Sequence, residues 1–284
     1  MSNILELANV CKDFPNSSFS LKHITLYVPQ GEIVGLVGPA NSGKSTLIKI
    51  ILNQIPYDSG VIKIDGHVEY GKSTTILDSI GFVTNESNYH SFLTPLEVGK
   101  IMHHIYSNWD DNLYLKYLND LSIPMKHKIY DISKGAQNKM KLAIALAHSP
   151  KLVIIDAITT GIEAIYRNEI LRTLKEYVTT THNSVLLSTD LPDDIDKIAD
   201  KFALLYDGRL IFETNINNLK SKLIFYNYSS SKNNLPAPEE VSIIAKYEEA
   251  NYTCYLLDKN KTMLLGSVPT LKDFIHFYNR WENM

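Results

Sequence analysis

The chain predicts an α/β layer fold built around a phosphate-binding loop, with a helical insert and a small α+β unit behind it. Three observations carry this. Up to about Ile216, short β-branched apolar runs alternate with helical patterns. The stretch Gly38 to Ser45 (GPANSGKS) fits G-x-x-x-x-G-K-[ST] and stands between an apolar run, Glu32 to Val37, and a helix-like run, Thr46 to Leu52. Between Thr94 and Ala147 the strand signals vanish, and apolar residues such as Leu142, Ala145 and Leu146 recur at helical spacing. At 284 residues the chain exceeds one average domain of roughly 150. The expected organisation is a large domain over 1–215, with its helical subdomain at about 86–147, and a small C-terminal extension over 216–284.

The expected strands run Ile4 to Val10, Ile24 to Val28, Ile33 to Val37, Val61 to Ile64, Ile80 to Val83, Leu152 to Asp156, Ser184 to Ser188 and Ala203 to Tyr206. Past Ile216 the stretch Ser229 to Asn234, with Pro236 and Pro238, reads as a loop. Strand-like runs follow at Tyr252 to Leu257 and Met263 to Leu265. Leu271, Phe274, Ile275, Tyr278 and Trp281 then share one face of a closing amphipathic helix, a stripe expected to pack as core.

Composition narrows the function classes. Apolar residues make up 44% and charged residues 21%, ordinary globular usage. A net charge of −3 offers no basic footprint for a nucleic-acid backbone, so no nucleic-acid partner is expected. No apolar run approaches the ~18 residues of a membrane span. The first residues lack the basic and apolar regions of a secretory leader. Cys11 and Cys254 are far apart and without metal-ligand spacing, which suits reduced thiols.

The loop carries the chemistry. Gly38 and Gly43 let the backbone turn its N–H groups inward around phosphate oxygens, and the following helix N-terminus adds its positive dipole end. Pro39, Ala40, Asn41, Ser42 and Thr46 complete the cradle. Lys44 suits the β- and γ-phosphates, and the Ser45 hydroxyl suits Mg²⁺. Asp156, ending an apolar strand, is the expected second Mg²⁺ anchor. The loop alone leaves GTPase, small-molecule kinase and ATPase open.

Asp156 follows the stretch Ile132 to Gln137 (ISKGAQ) and a helix from Lys139 to Ala147. With the helical insert in front, that order resembles the nucleotide-binding subunit of an ATP-binding cassette (ABC) transporter over roughly residues 3–215. The stretch from Ile105 to Arg167 looks most like bacterial bacitracin, lantibiotic or peptide export ATP-binding proteins. The resemblance implies a P-loop NTPase fold of ABC type, with ATP and Mg²⁺ as cofactors. It implies that Phe14 stacks on adenine, and that Ser133, Gly135, Ala136 and Gln137 form a signature motif pressing on the γ-phosphate held by a second subunit. It also implies a head-to-tail dimer with another ABC ATP-binding subunit, a hetero- or homodimer. Membrane-spanning permease subunits are the further partners implied, with a peripheral location on the cytoplasmic face of the cell membrane. Their docking surface would include Tyr89, Phe92 and a helix from Leu96 to Tyr106.

The chain departs from this family where hydrolysis is performed. The water-polarising Glu after Asp156 is Ala157, and the next position, a family Pro, is Ile158. The switch His is Asp190, an anion where a γ-phosphate contact is wanted. The sensing Gln is Asn85, and Glu163 stands where Asp is usual. These changes ring one phosphate position, so the expectation is a site that binds ATP but hydrolyses it poorly. Ser133 and Gly135 would complete a working site on a catalytically complete homologue. The rival expectation is a nucleotide-sensing regulatory module without transport.

Overall fold

The computed structural model describes residues 2–68, 76, 78–84, 86, 89–229, 236–249 and 252–281. Asn85, the loop residues 230–234, and the side chains of Tyr278 and Trp281 lie outside this description.

A six-stranded sheet forms the body, in the order β5 (Ile80–Thr84), β6 (Leu152–Asp156), β7 (Ser184–Thr189), β3 (Ile33–Val37), β8 (Lys201–Tyr206) and β9 (Arg209–Asn215). The first five are parallel, and β9 turns back antiparallel on β8. The parallel strands are apolar on both faces because both faces are covered. Ile33, Val37, Val153 and Ile155 point into a core shared with α5 (Ala164–Thr181) and α6 (Pro192–Ile198). Their neighbours Val34, Leu36, Leu152 and Ile154 point to the other face. There they meet α1 (Lys44–Ile51) and the three-stranded antiparallel sheet of β2 (Ser20–Pro29), β1 (Asn3–Asp13) and β4 (Ser59–Ile64).

The expected helical subdomain forms. It comprises α2 (Pro95–Ile105), α3 (Asp111–Asp120), a 3₁₀ turn at Ile129–Asp131 and α4 (Lys134–Leu146). Each helix has a side-chain cap that supplies an acceptor for its free amides. The Thr94 hydroxyl accepts from Glu97 N while the Glu97 carboxylate accepts from Thr94 N, a reciprocal capping box. Asp110 caps α3 and Ser133 caps α4. Val98, Tyr114, Leu118, Met140 and Ile144 form the subdomain core.

The C-terminal unit holds α7 (Ile216–Lys222), a sheet ordered β10 (Leu223–Tyr228), β12 (Tyr252–Asp258), β11 (Ile243–Glu249), and α8 (Leu271–Trp281). Leu271, Phe274 and Phe277 join one continuous buried cluster with Phe202, Leu204 and Ile216 of the body. The Phe274 ring lies 4.8 Å from that of Phe212, and Leu271 N donates to Asp196 Oδ2 at 2.9 Å.

Strands β9, β10 and β11 are absent from the sequence reading. Two of them, RLIFETN and IIAKYEE, mix charged and apolar residues on a half-covered sheet, a weak signal that only pairing completes. The strand expected at Met263 to Leu265 does not form, and both named residues lie fully in solvent, at 101% and 95% exposure. Among the described residues no strand pairs with that segment, and the nearest bridge joins Ser267 to Phe225. Both cysteines are free thiols.

Candidate nucleotide site

Strands β6, β7 and β3 are neighbours, and the site residues leave their C-terminal ends side by side. The register pairs Val37 with Thr189 and Asp156 with Ser188, so Gly38 and Asp190 are the next residues beyond matched positions. Such carboxyl ends of adjacent parallel strands are where open α/β sheets bind ligands. An open cleft of 490 Å³ is lined there by Phe19, Ala40, Asn41, Gly43, Lys44, Ser45, Thr46, Asp156, Ala157 and Asp190.

The loop needs its glycines. Gly43 takes φ 106° at the N-cap of α1, and a Cβ there would lie 2.6 Å from the Phe19 ring. At Gly38 a Cβ would fall 2.0 Å from the backbone oxygen of Leu205 on β8. Beside Pro39, Ser42 accepts from Gly208 N through its carbonyl at 3.0 Å, tying the loop to the β8–β9 turn.

Lys44 is buried and donates to the carbonyls of Gly38 and Pro39, each at 2.8 Å. Its ammonium also forms a 2.7 Å ion pair with Asp190 Oδ1. The Ser45 hydroxyl donates to Asp156 Oδ1 at 3.1 Å. Burial raises the Asp156 carboxyl above its ordinary range, opposed by the hydrogen bond from Ser45, by the nearby Ser188 hydroxyl and by the charge of Lys44. A carboxylate held at such a cost, beside a hydroxyl, is a donor pair for a divalent cation. Ala157 follows Asp156 at φ 52°, and its N–H donates to Ser188 O at 3.1 Å.

Phe14 does not line the cleft; Phe19 does, with the Phe14 ring 6.1 Å behind it. The sequence offers no pattern that singles out Phe19, because its place on the cleft comes from the β1–β2 turn folding over Gly43. Lys141 is a second residue that the sequence did not mark. From α4 it donates to the carbonyls of Thr84 at 3.2 Å and Glu86 at 2.6 Å, clasping the segment that leaves β5. Burial and the nearby charge of Lys134 lower its ammonium below the ordinary range.

The stretch from Ser133 to Gln137 opens α4 away from this cleft. Ser133 is exposed and its hydroxyl accepts from Ala136 N at 3.2 Å. Gly135 lies against Tyr166, where a Cβ would be 2.5 Å from the ring. Gln137 donates to the carbonyls of Ile129 and Ile132 at 2.9 and 3.1 Å, and so braces the turn before the helix. One chain therefore carries the phosphate loop and the Ser133 turn as separate surfaces.

A family model described as ABC transporter matches residues 21–160. The ATP-binding protein YtrB of Bacillus subtilis is 28% identical over 78% of this chain and 75% of its own length. Among solved structures, the ATP-binding cassette MJ0796, dimeric and bound to ADP and Pi after hydrolysis, matches at 25% identity with a TM-score of 0.67. That match covers 75% of this chain and 98% of the other. This chain carries an ABC transporter ATP-binding domain. A further relative is the bacitracin transport ATP-binding protein BcrA of Enterococcus faecalis, 26% identical over 78% of this chain and 72% of its own length.

ABC ATPase domains bind ATP with Mg²⁺, and the loop, the buried Lys44 and the Ser45–Asp156 pair fit that pair of ligands. ABC ATP-binding subunits dimerise and work with membrane permease subunits. Among the described residues no helix is long and apolar enough to cross a membrane. On the ABC domain's helical subdomain, Phe92 is 61% exposed and meets Tyr130 edge-on at 5.5 Å, with Ile101 and Ile105 also exposed on α2. Tyr89, expected on the same surface, instead packs against the subdomain core, and burial pushes its hydroxyl upward.

Proposed function

We propose that this chain is the ATP-binding subunit of an ABC exporter whose own hydrolysis is impaired and which pairs with a catalytically complete homologue. In this reading Gly38 to Thr46 hold the phosphates, Ser45 and Asp156 hold Mg²⁺, and an aromatic of the Phe14–Phe19 pair faces adenine. Bound Mg²⁺ would offset phosphate charge. Ser133, Gly135, Ala136 and Gln137 complete the partner's site. The cassette spans 1–215, and the extension begins near Ile216. The subunit sits on the cytoplasmic face of the membrane and meets its permease through the surface around Phe92 and α2. The similarity to a protein named for bacitracin transport supports export.

The observation that carries the reading is the pair of side chains that face Lys44 and Asp156. Ala157 presents a methyl group, which neither accepts a proton nor orients water. Asp190 presents a carboxylate bound to the phosphate-loop lysine. Both residues line the cleft beside Lys44, Ser45 and Asp156, the groups that suit phosphate and Mg²⁺, which supports a site that holds the nucleotide but cleaves it poorly.

ATP turnover measured on the purified chain, alone and with its partner cassette, tests this. The chain alone should turn over at background, and the mixture should be active through the partner's site. Introducing Ala157→Glu together with Asp190→His should raise turnover of the chain itself. Brisk hydrolysis by the wild-type chain alone, abolished by Lys44→Ala, overturns the proposal.

A further inference from the structure

The Lys44–Asp190 pair has a consequence for which nucleotide the site prefers. In a phosphate-binding loop the lysine serves the outer phosphates, and it is the nearest full positive charge to them. Here that ammonium is enclosed, its side chain 7% exposed, and its contacts are two loop carbonyls, the Ser42 hydroxyl and the Asp190 carboxylate. Asp190 is the strongest of these contacts, the one counter-charge at 2.7 Å. It enters from the end of β7, on the side of the cleft where Asp156 and Ala157 stand, and it lines the cleft with them.

We infer that Asp190 is a specificity-determining residue that makes this site favour nucleoside diphosphate over triphosphate. The inference rests on the reading of Gly38 to Thr46 as the nucleotide loop. A diphosphate needs only the loop amides and a share of Lys44, and it leaves the Asp190 contact intact. A terminal γ-phosphate must take the same face of the ammonium that Asp190 holds, and it then meets that carboxylate at close range. Two anions cannot both stay near one lysine without cost, and the larger penalty falls on the triphosphate. Asp190 is 39% exposed, so water and salt reduce the effect without removing it. Mg²⁺ on the Ser45–Asp156 side would ease the repulsion for both nucleotides and so narrows the preference rather than reversing it.

Calorimetric titration of the full chain with ADP and with ATP, in the presence of Mg²⁺ and again in its absence, tests the inference. The proteins compared are wild type, Asp190→Asn, Asp190→His and Lys44→Ala. Wild type should bind ADP more tightly than ATP. Asp190→Asn, which keeps the shape and removes the charge, should tighten ATP about tenfold and ADP by less than about threefold. Asp190→His should move the ratio in the same direction, and the ATP gain should be larger without Mg²⁺. Equal shifts for the two nucleotides, an unchanged ATP affinity, or weaker ATP binding by both variants overturns the inference. If neither nucleotide binds wild type more tightly than Lys44→Ala, the nucleotide loop itself is misassigned and both readings fall.

Discussion

Protonation of His148 should loosen the join between the helical subdomain and the sheet. His148 follows α4, is 1% exposed and stacks on Tyr106 with ring centroids 4.0 Å apart. Its Nδ1 lies 3.0 Å from the carbonyl oxygen of Asp78, beside β5. A carbonyl only accepts, so Nδ1 carries the proton, and Nε2 is a buried lone pair with no hydrogen-bond partner among the described residues. A second proton would put a charged N–H there with nothing to receive it. Burial accordingly lowers the imidazole from 6.5 to about 4, against the opposing hydrogen bond and charge of Asp78. The neutral form is the folded one, so the stability is fully present above pH 6.5 and is lost as pH falls toward 4. Those two values make the loss between about pH 7.5 and about pH 5 roughly 2 kcal/mol. Urea denaturation across that range on wild type and His148→Asn measures it, because Asn keeps the donor to Asp78 and does not titrate. The wild-type curve should fall by the stated amount relative to the variant. Parallel curves, or a His148 NMR titration near pH 6.5, would refute the argument.

Two further outcomes follow from packing and charge. Gly38→Ala forces a Cβ onto the Leu205 carbonyl at 2.0 Å, a backbone group that cannot step aside; it should cost about 1–3 kcal/mol in urea denaturation and abolish nucleotide binding. An unchanged midpoint would show that the loop relaxes. Arg167 pairs with Asp194 at 3.3 Å, and that carboxylate is fully buried, with burial raising it above the usual range. Arg167→Met should therefore cost about 3 kcal/mol near neutral pH. Adding Asp194→Asn should recover most of it, and a double variant no more stable than Arg167→Met would assign the loss to packing.

The phosphate loop, the helical insert and the apolar strands β3, β6 and β7 were all legible in the sequence. Each is local: a glycine spacing, apolar residues at helical spacing such as Leu142 and Leu146, or a run of β-branched residues acts within a few positions of itself. The identities of Ala157 and Asp190 are equally plain in the sequence, and the resemblance to the cassette family is what drew attention to them. The strands β9 and β11 were not legible, because their mixed charged and apolar residues suit a half-covered surface only once partners lie beside them. Met263 to Leu265 shows the converse, since apolar residues of strand character remain exposed where no edge receives them.

The sequence alone thus supplied the phosphate loop and the motif order that resembles an ATP-binding cassette. Tertiary structure decided which side chains meet in the cleft. The parallel register of β3 and β7 sets Asp190 against Lys44, which is 146 positions earlier in the chain. The fold of the β1–β2 turn puts Phe19 rather than Phe14 on the cleft. Lys141 reaches the segment after β5 only because α4 packs beside it. Charge and hydrogen-bond energies depend on separations of a few ångströms, and no spacing along the sequence specifies these for residues that meet only after folding.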